Sequence, residues 1–353
     1  MNICYFYYIN VSFFMLKINP KNILIIKLRA IGDVVLMSPI LENLRNHFPN
    51  VNIDCLVDAN CSQILSHNPH ISSIISFDKN SQSSLSIIKT IRDKKYDTVI
   101  DLFGNPRSAI ITLLSAAKNK IGFNFRMRKY AYNIVVDAIT KNAHNIETNL
   151  NVLRSLGIPI TTSNPKVYLN NGVINKAENW LNSNNLTDKL LIGINVGGGW
   201  STKKYLPSHY IKVIKNILNF VDAHFLILWG PHEFDDAKLI ADSDTKKCHL
   251  LPSTSILELS AFISKLNFMI SNDSGPMHIS AALGIKTLGI FGPTTPKNQG
   301  PFGEGNITIR KDELDCLECQ LLKCPIGNIC MTELDSLKVS DAFFKLSSLP
   351  KVN

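Results

Sequence analysis

Long apolar runs are absent from this sequence beyond its first residues, so no later segment reaches the roughly 20 apolar residues that span a bilayer. The apolar start, residues 3–16, is too short to span, has no basic stretch before it and no small-residue cleavage site, and runs into Lys17. Residues 1–20 are therefore read as an N-terminal extension with no assigned function, and the chain as cytoplasmic. Glycine (18) and proline (16) are too few for a collagen-like or low-complexity chain. Only 18% of residues are charged against 45% hydrophobic, which excludes a disordered tail. Eight cysteines in 353 residues are too sparse for a disulfide scaffold. Acidic residues are also in deficit. With 28 of them against 37 basic, the net charge is +9, which favours nucleic acid, an anionic membrane surface or a phosphorylated ligand as partner.

What is present is an alternation of strands and helices. The length is more than twice the roughly 150 residues of a typical domain, so two domains or one large α/β body are expected. Residues 22–27 form a continuous apolar run bounded by polar residues, as in a buried parallel strand, followed by a tight loop and one helix predicted over 34–47. Residues 51–57 and 96–102 read as further strands, with 85–92 helical between them. A polar stretch at 161–165 reads as a linker. The pattern then restarts, with strands at 190–195, 224–228, 267–271 and 287–291, each ending in a Gly-rich, Gly-Pro or Asn-Asp-Ser-Gly turn. The expected organisation is two parallel-sheet domains, residues 21–165 and 166–353, facing across a cleft. Ligands of open α/β sheets bind at the carboxyl ends of the strands, where these turns lie.

Several residue groups could carry chemistry there. Asp33 follows Gly32 at the junction of the first strand and helix. It can act as a cleft carboxylate with a small neighbour leaving room for substrate, or merely complement the helix dipole. In Ser271-Asn-Asp-Ser-Gly-Pro-Met-His278, the first turn from Ser274 to His278 offers free backbone N–H groups to a diphosphate; the alternative is an N-cap by Asp273 or Ser274 with no ligand, although capping and anion binding are compatible. The stretch Gly197-Gly-Gly-Trp-Ser-Thr-Lys-Lys204 supplies two hydroxyls and two ammonium groups suited to phosphate oxygens. Its glycines follow neither the dinucleotide fingerprint nor a P-loop, so hydride transfer and ATP hydrolysis lose weight. Asp242-Ser-Asp244 reads as a surface turn rather than a metal site. Residues 102–136 contain no acidic residue but carry Arg107, Lys118, Lys120, Arg126, Arg128 and Lys129, which would draw an anionic ligand to the first domain. Cys316, Cys319, Cys324 and Cys330 are clustered in a loop, 316–330, that suits either a structural zinc or a metal-free Cys-rich turn.

Taken in order, Ile26-Lys-Leu-Arg-Ala-Ile-Gly-Asp-Val34, Lys203-Lys-Tyr-Leu-Pro207, Trp229-Gly-Pro-His-Glu233, residues 271–278 and Phe291-Gly-Pro-Thr294 resemble the bacterial lipopolysaccharide heptosyltransferases of glycosyltransferase family 9. The resemblance runs from about residue 23 to 337. It implies a GT-B fold of two Rossmann-like domains and inverting transfer of heptose from ADP-heptose to the Kdo/heptose inner core of lipopolysaccharide. Asp33 matches the catalytic base. Lys203, or Lys204 if the register slips by one, matches the lysine that neutralises the leaving diphosphate, because Leu206 separates Tyr205 from Pro207 where the family has an adjacent aromatic and proline. Ser201 and Thr202 fall at the hydroxyl positions beside it, and Glu233 at a ribose ligand. Asp273, Ser274, Gly275, Met277 and His278 fall in the donor-binding motif, and Arg126 and Arg128 near the acceptor-binding basic positions. No cofactor is implied beyond the zinc alternative at the cysteines. The implied partners are ADP-heptose and a Kdo-lipid A acceptor at the inner membrane, where the protein would be peripheral, and no nucleic acid. The rivals are another GT-B sugar transferase, a nucleotide-sugar epimerase, or a basic nucleic-acid or regulatory binding module.

Overall fold

The computed structural model describes residues 18–139 and 143–351, so residues 1–17 of the expected extension lie outside the described residues. The first half folds into strands β1 (Asn22–Ile26), β2 (Asn52–Asp58), β3 (Ser73–Phe77), β4 (Thr98–Asp101), β5 (Asn119–Phe123) and β6 (Ile134–Val136). They form one parallel sheet in the order β3-β2-β1-β4-β5-β6. The second half supplies β7 (Leu191–Asn195), β8 (His224–Leu228), β9 (Cys248–Leu250), β10 (Phe268–Asn272), β11 (Lys286–Ile290) and β12 (Ile307–Ile309), again all parallel, in the order β12-β11-β10-β7-β8-β9. Counted within each half, the two orders are identical, and each reverses direction between its first and fourth strand. These are two Rossmann-like domains in the GT-B arrangement.

Both faces of each sheet are covered, which is why the central strands are apolar throughout. In β1, Ile23 and Ile25 enter one core with Val34, Ile40 and Leu44, while Leu24 and Ile26 enter the opposite core with Ile88, Ile91 and Val99. Burial of each such side chain contributes about 1.5–3 kcal/mol. The first of these cores continues into the second half through Met269 and Ile279, so packing joins the two halves.

The single helix expected over 34–47 is two helices, Ile31–Leu36 and Ser38–His47. Pro39 has no N–H to give the carbonyl four residues back, that of Val35. The Ser38 hydroxyl donates to that carbonyl instead, at 2.8 Å. The short first helix is thereby free to lie against the helix Gly275–Ala282 of the other half.

Candidate functional site

In open α/β sheets the ligand crevice opens where the strand order reverses. Here the reversals lie between β1 and β4 and between β7 and β10, and the segments leaving all four strands meet in one region. A cleft of about 330 Å³ is lined from the first half by Gly32, Asp33 and Asn145 and from the second by Gly198, Lys203, Asp273, Ser274 and His278, among others.

On the second-half side, the Lys203 ammonium lies 2.7 Å from Asp273 Oδ2 and 4.4 Å from the centre of the Trp200 ring. Asp273 is almost fully buried and also accepts from the Thr294 hydroxyl at 2.6 Å. Buried Asn272 fixes this geometry: its Oδ1 accepts from Tyr205 N–H and the Tyr210 hydroxyl, and its Nδ2 donates to the Val196 carbonyl. The lysine loop is thus tied to the end of β10. Asn195 Nδ2 donates to Ser271 and Ser274 Oγ, at 2.9 and 2.8 Å, tying β7 to the same point.

Among the described residues no side chain caps the helix Gly275–Ala282, so Asp273 and Ser274 are not its caps. With Pro276 lacking an N–H, the uncapped donors of this first turn are those of Ser274, Gly275 and Met277, at the positive end of the helix. A lysine and a free helix start in one cleft make an anion site.

On the opposite wall, Asp33 does two things at once. Its Oδ2 accepts from the Ala30 N–H at 3.0 Å, as a first-turn acid should, while Oδ1 lies 3.7 Å from the Lys27 ammonium. Lys27 is itself buried and donates to the Leu102 carbonyl at 3.0 Å. The turn holding that carbonyl is fixed by buried Asp101, which accepts from the N–H groups of Phe103 and Gly104 and from the Tyr132 hydroxyl at 2.8 Å. Burial raises the Asp101 carboxyl above its usual range.

The two walls touch through glycines. A Cβ on Gly32 would lie 2.4 Å from His278 Cδ2, and one on Gly275 would lie 2.9 Å from Ile31 Cβ. On the side of Gly32 the space is therefore filled by the His278 ring, while Gly32 and Asp33 also line the open cleft. Burial holds the His278 imidazole down to about 4, so it is neutral near pH 7. Among the described residues its buried Nδ1 has no hydrogen-bond partner.

Not every expected residue reaches the cleft. Lys204 turns away to Glu233 and Asp236, at 3.8 and 3.5 Å, so Lys203 is the cleft lysine. The Thr202 hydroxyl is spent on the Leu321 carbonyl at 2.9 Å, and Ser201 is exposed outside the lining. Glu233 sits at the ends of β7 and β8, accepting from Gly230 N–H and packed against Gly197. The Met277 side chain is core, leaving only its backbone for a ligand. Arg126 and Arg128 lie outside the cleft, Arg128 over the Phe125 ring at 5.1 Å. Phe125 lines a second cavity of about 330 Å³ beside Lys27, which shares Asn145 and Gln299 with the cleft. Asp242 pairs with Lys238 and Asp244 accepts from Lys246 and Lys247 N–H, as in the expected surface turn. Cys316, Cys319, Cys324 and Cys330 surround one small void behind Thr202, yet among the described residues no three His, Cys, Asp or Glu are set to hold a metal ion.

The model of glycosyltransferase family 9 (heptosyltransferase) matches residues 84–330. The chain belongs to this family. It is 26% identical over 331 residues to lipooligosaccharide heptosyltransferase 2 of Campylobacter jejuni, covering 90% of this chain and 96% of that one. Among solved structures, a family 9 glycosyltransferase from Veillonella parvula superposes with a TM-score of 0.82 at 23% identity, covering 95% and 98% of the two chains. The Escherichia coli heptosyltransferase WaaC with ADP-2-deoxy-2-fluoro heptose gives 0.72 at 21%, covering 92% and 99%. As a family 9 member the chain is a glycosyltransferase. Lys27, which lines the second cavity and lies 3.7 Å from Asp33, is a site residue that sequence reasoning missed. Its signal was a single charge closing an otherwise fully apolar strand, inside a motif in which only Asp33 drew attention.

Proposed function

We propose that the protein transfers heptose from ADP-heptose to the Kdo/heptose inner core of lipopolysaccharide, with inversion at the anomeric carbon. The observation that carries this reading is the convergence of a carboxylate, a lysine and an uncapped helix start on one interdomain cleft. Relatives named as heptosyltransferases, and a solved relative holding an ADP-heptose analogue, support the donor.

In this mechanism Asp33 Oδ1 takes the proton of the acceptor hydroxyl as its oxygen attacks the anomeric carbon. The bond from that carbon to the diphosphate oxygen breaks, and its electron pair leaves with ADP. Lys203 and the N–H groups of Ser274, Gly275 and Met277 neutralise the charge that grows on the diphosphate, where fixed donors are worth most. That duty falls to the protein, so no metal is required. Lys27 orients Asp33 and faces the second cavity, where the acceptor sugar would sit. Residues up to 165 would serve the acceptor and residues from 166 the donor, with the Kdo-bearing lipid presented at the cytoplasmic face of the inner membrane. Among the described residues no helix is long and apolar enough to cross a membrane.

The test is direct. Purified protein incubated with ADP-heptose and a Kdo-bearing acceptor, in the presence of EDTA, should release ADP and yield a product of inverted anomeric configuration. Transfer from a different nucleotide sugar alone would overturn the donor. Retention of configuration would overturn the single displacement.

A further inference from the structure

The segment without acidic residues folds onto one flank of the first domain. It comprises the helix Pro106–Leu114, β5 and the short 3₁₀ turn Arg126–Ala131. Ala109, Ala131 and Tyr132 pack together and join helix and turn into one surface. Large apolar side chains stand outward from it: Met127 is 77% exposed, Tyr130 69%, Ile110 50% and Leu113 48%. Met127 and Tyr130 are three apart in a 3₁₀ turn and so point the same way. Ile110 and Leu113 are three apart on the solvent face of the helix, next to Arg107.

The cations of this surface are unneutralised. Among the described residues none of Arg107, Lys118, Lys120, Arg126, Arg128 and Lys129 pairs with a carboxylate. Arg128 and Lys129 instead lie over the rings of Phe125 and Tyr130. A merely solvated face would not present four large apolar groups together, and a nucleic-acid face has no use for aliphatic ones. A bilayer with anionic headgroups uses both, apolar tips entering the acyl boundary while lysine and arginine meet phosphates. The position also fits. Phe123 and Phe125, just ahead of Met127 in the chain, line the cavity beside Lys27, whose ammonium lies 3.7 Å from Asp33.

We propose that Ile110, Leu113, Met127 and Tyr130, together with these cations, form a face that docks on an anionic phospholipid surface at the mouth of the acceptor cavity. The inference deepens the proposed function, since a docked face would let a lipid-anchored sugar reach Asp33 while its acyl chains stay in the membrane.

Sedimentation of the full chain with phosphatidylcholine vesicles, with and without about one third phosphatidylglycerol, tests it. Binding is expected only with the anionic lipid and should weaken with salt. The variant I110S/L113S/M127S, altered only at exposed positions and checked for an unchanged melting curve, should bind at least about tenfold more weakly. It should lose transfer to a vesicle-embedded acceptor but keep transfer to a deacylated, water-soluble one. Equal binding to neutral vesicles, or wild-type binding by the variant, would overturn the docking face. So would a dimer that the variant dissociates, which would make the face a self-interface, or RNA that displaces the vesicles in a variant-dependent way. Vesicle binding without heptose transfer to either acceptor would refute the heptosyltransferase reading and leave the docking face standing.

Discussion

Replacing Lys203 by methionine separates what the lysine does for the fold from what it does for the reaction. Its ammonium and the Asp273 carboxylate are 2.7 Å apart, with only 12% and 3% of their side-chain surface exposed. Removing the lysine leaves a buried carboxylate with the Thr294 hydroxyl as its remaining side-chain donor. Breaking a buried pair from one side costs about 3–5 kcal/mol. At about 2–4 °C per kcal/mol for a domain of this size, the melting midpoint should fall by on the order of 10 °C. The double variant K203M/D273N no longer buries a charge, and the carboxamide oxygen that replaces the carboxylate can still accept from Thr294, so most of that stability should return. Turnover should not return. Loss of one preorganised donor to developing negative charge typically costs about 10²–10³ in kcat, and among the described residues no other lysine lines this wall. The assays are calorimetric or denaturant unfolding and ADP release under saturating donor and acceptor. A single variant that melts with the wild type would refute the buried pair. A double variant that regains turnover along with stability would refute the catalytic role.

Asp33→Asn keeps an oxygen for the Ala30 N–H, so it should fold and bind ADP normally while kcat falls by about 10²–10⁴; near-normal turnover would remove Asp33 as the base. Lys27→Met should lower kcat while leaving the donor KM unchanged, because Lys27 touches Asp33 and the Leu102 carbonyl but not the anion site; a shift in donor KM alone would assign it elsewhere. Gly32→Ala drives a methyl into the His278 ring and should cost about 1–3 kcal/mol in unfolding experiments, with turnover falling as the walls part. His278 binds a proton at about pH 6.5 when unfolded but only near 4 when folded, so the unfolded chain holds more protons across that window. Stability should therefore drop by about 3 kcal/mol as pH falls from 6.5 to 4, and denaturant titrations of His278→Gln should show a flatter pH dependence.

How far the sequence could be read depended on where each signal came from. Strands β1, β8, β10 and β11 were legible to within a residue or two because each is a continuous apolar run closed by a turn, and both of its neighbours are on the sheet. Strands β6, β9 and β12 are three residues long and lie at sheet edges, too short for an apolar run to stand out. The same division holds at the site. Asp33, Asp273 and the start of the helix at Gly275 follow directly from strand ends, and local order alone put them in the cleft. The fate of Thr202 depended on the Leu321 carbonyl, 119 residues away. The choice between Lys203 and Lys204 likewise depended on Asp273, Glu233 and Asp236, none of them close in sequence.

The glycines at the crossing show why this fold suits a reaction between two separately bound substrates. Each sheet alone offers its ligand a crevice at the reversal of strand order, but a displacement needs the base and the leaving-group site to share a frame. Here the frame is the contact of two short helices, Ile31–Leu36 carrying Asp33 and Gly275–Ala282 presenting its free N–H groups. Gly32 and Gly275 let their backbones approach closely, and the neutral ring of His278 packs against Gly32 without adding charge. A protonated ring there would place a cation within reach of both the base and the carboxylate that holds Lys203, competing for both. Burial that keeps His278 neutral therefore preserves both carboxylates for their own tasks. The cost of that burial is a loss of stability in acid, so the same side chain that lets the two helices meet closely also makes the contact weaker as pH falls toward 4.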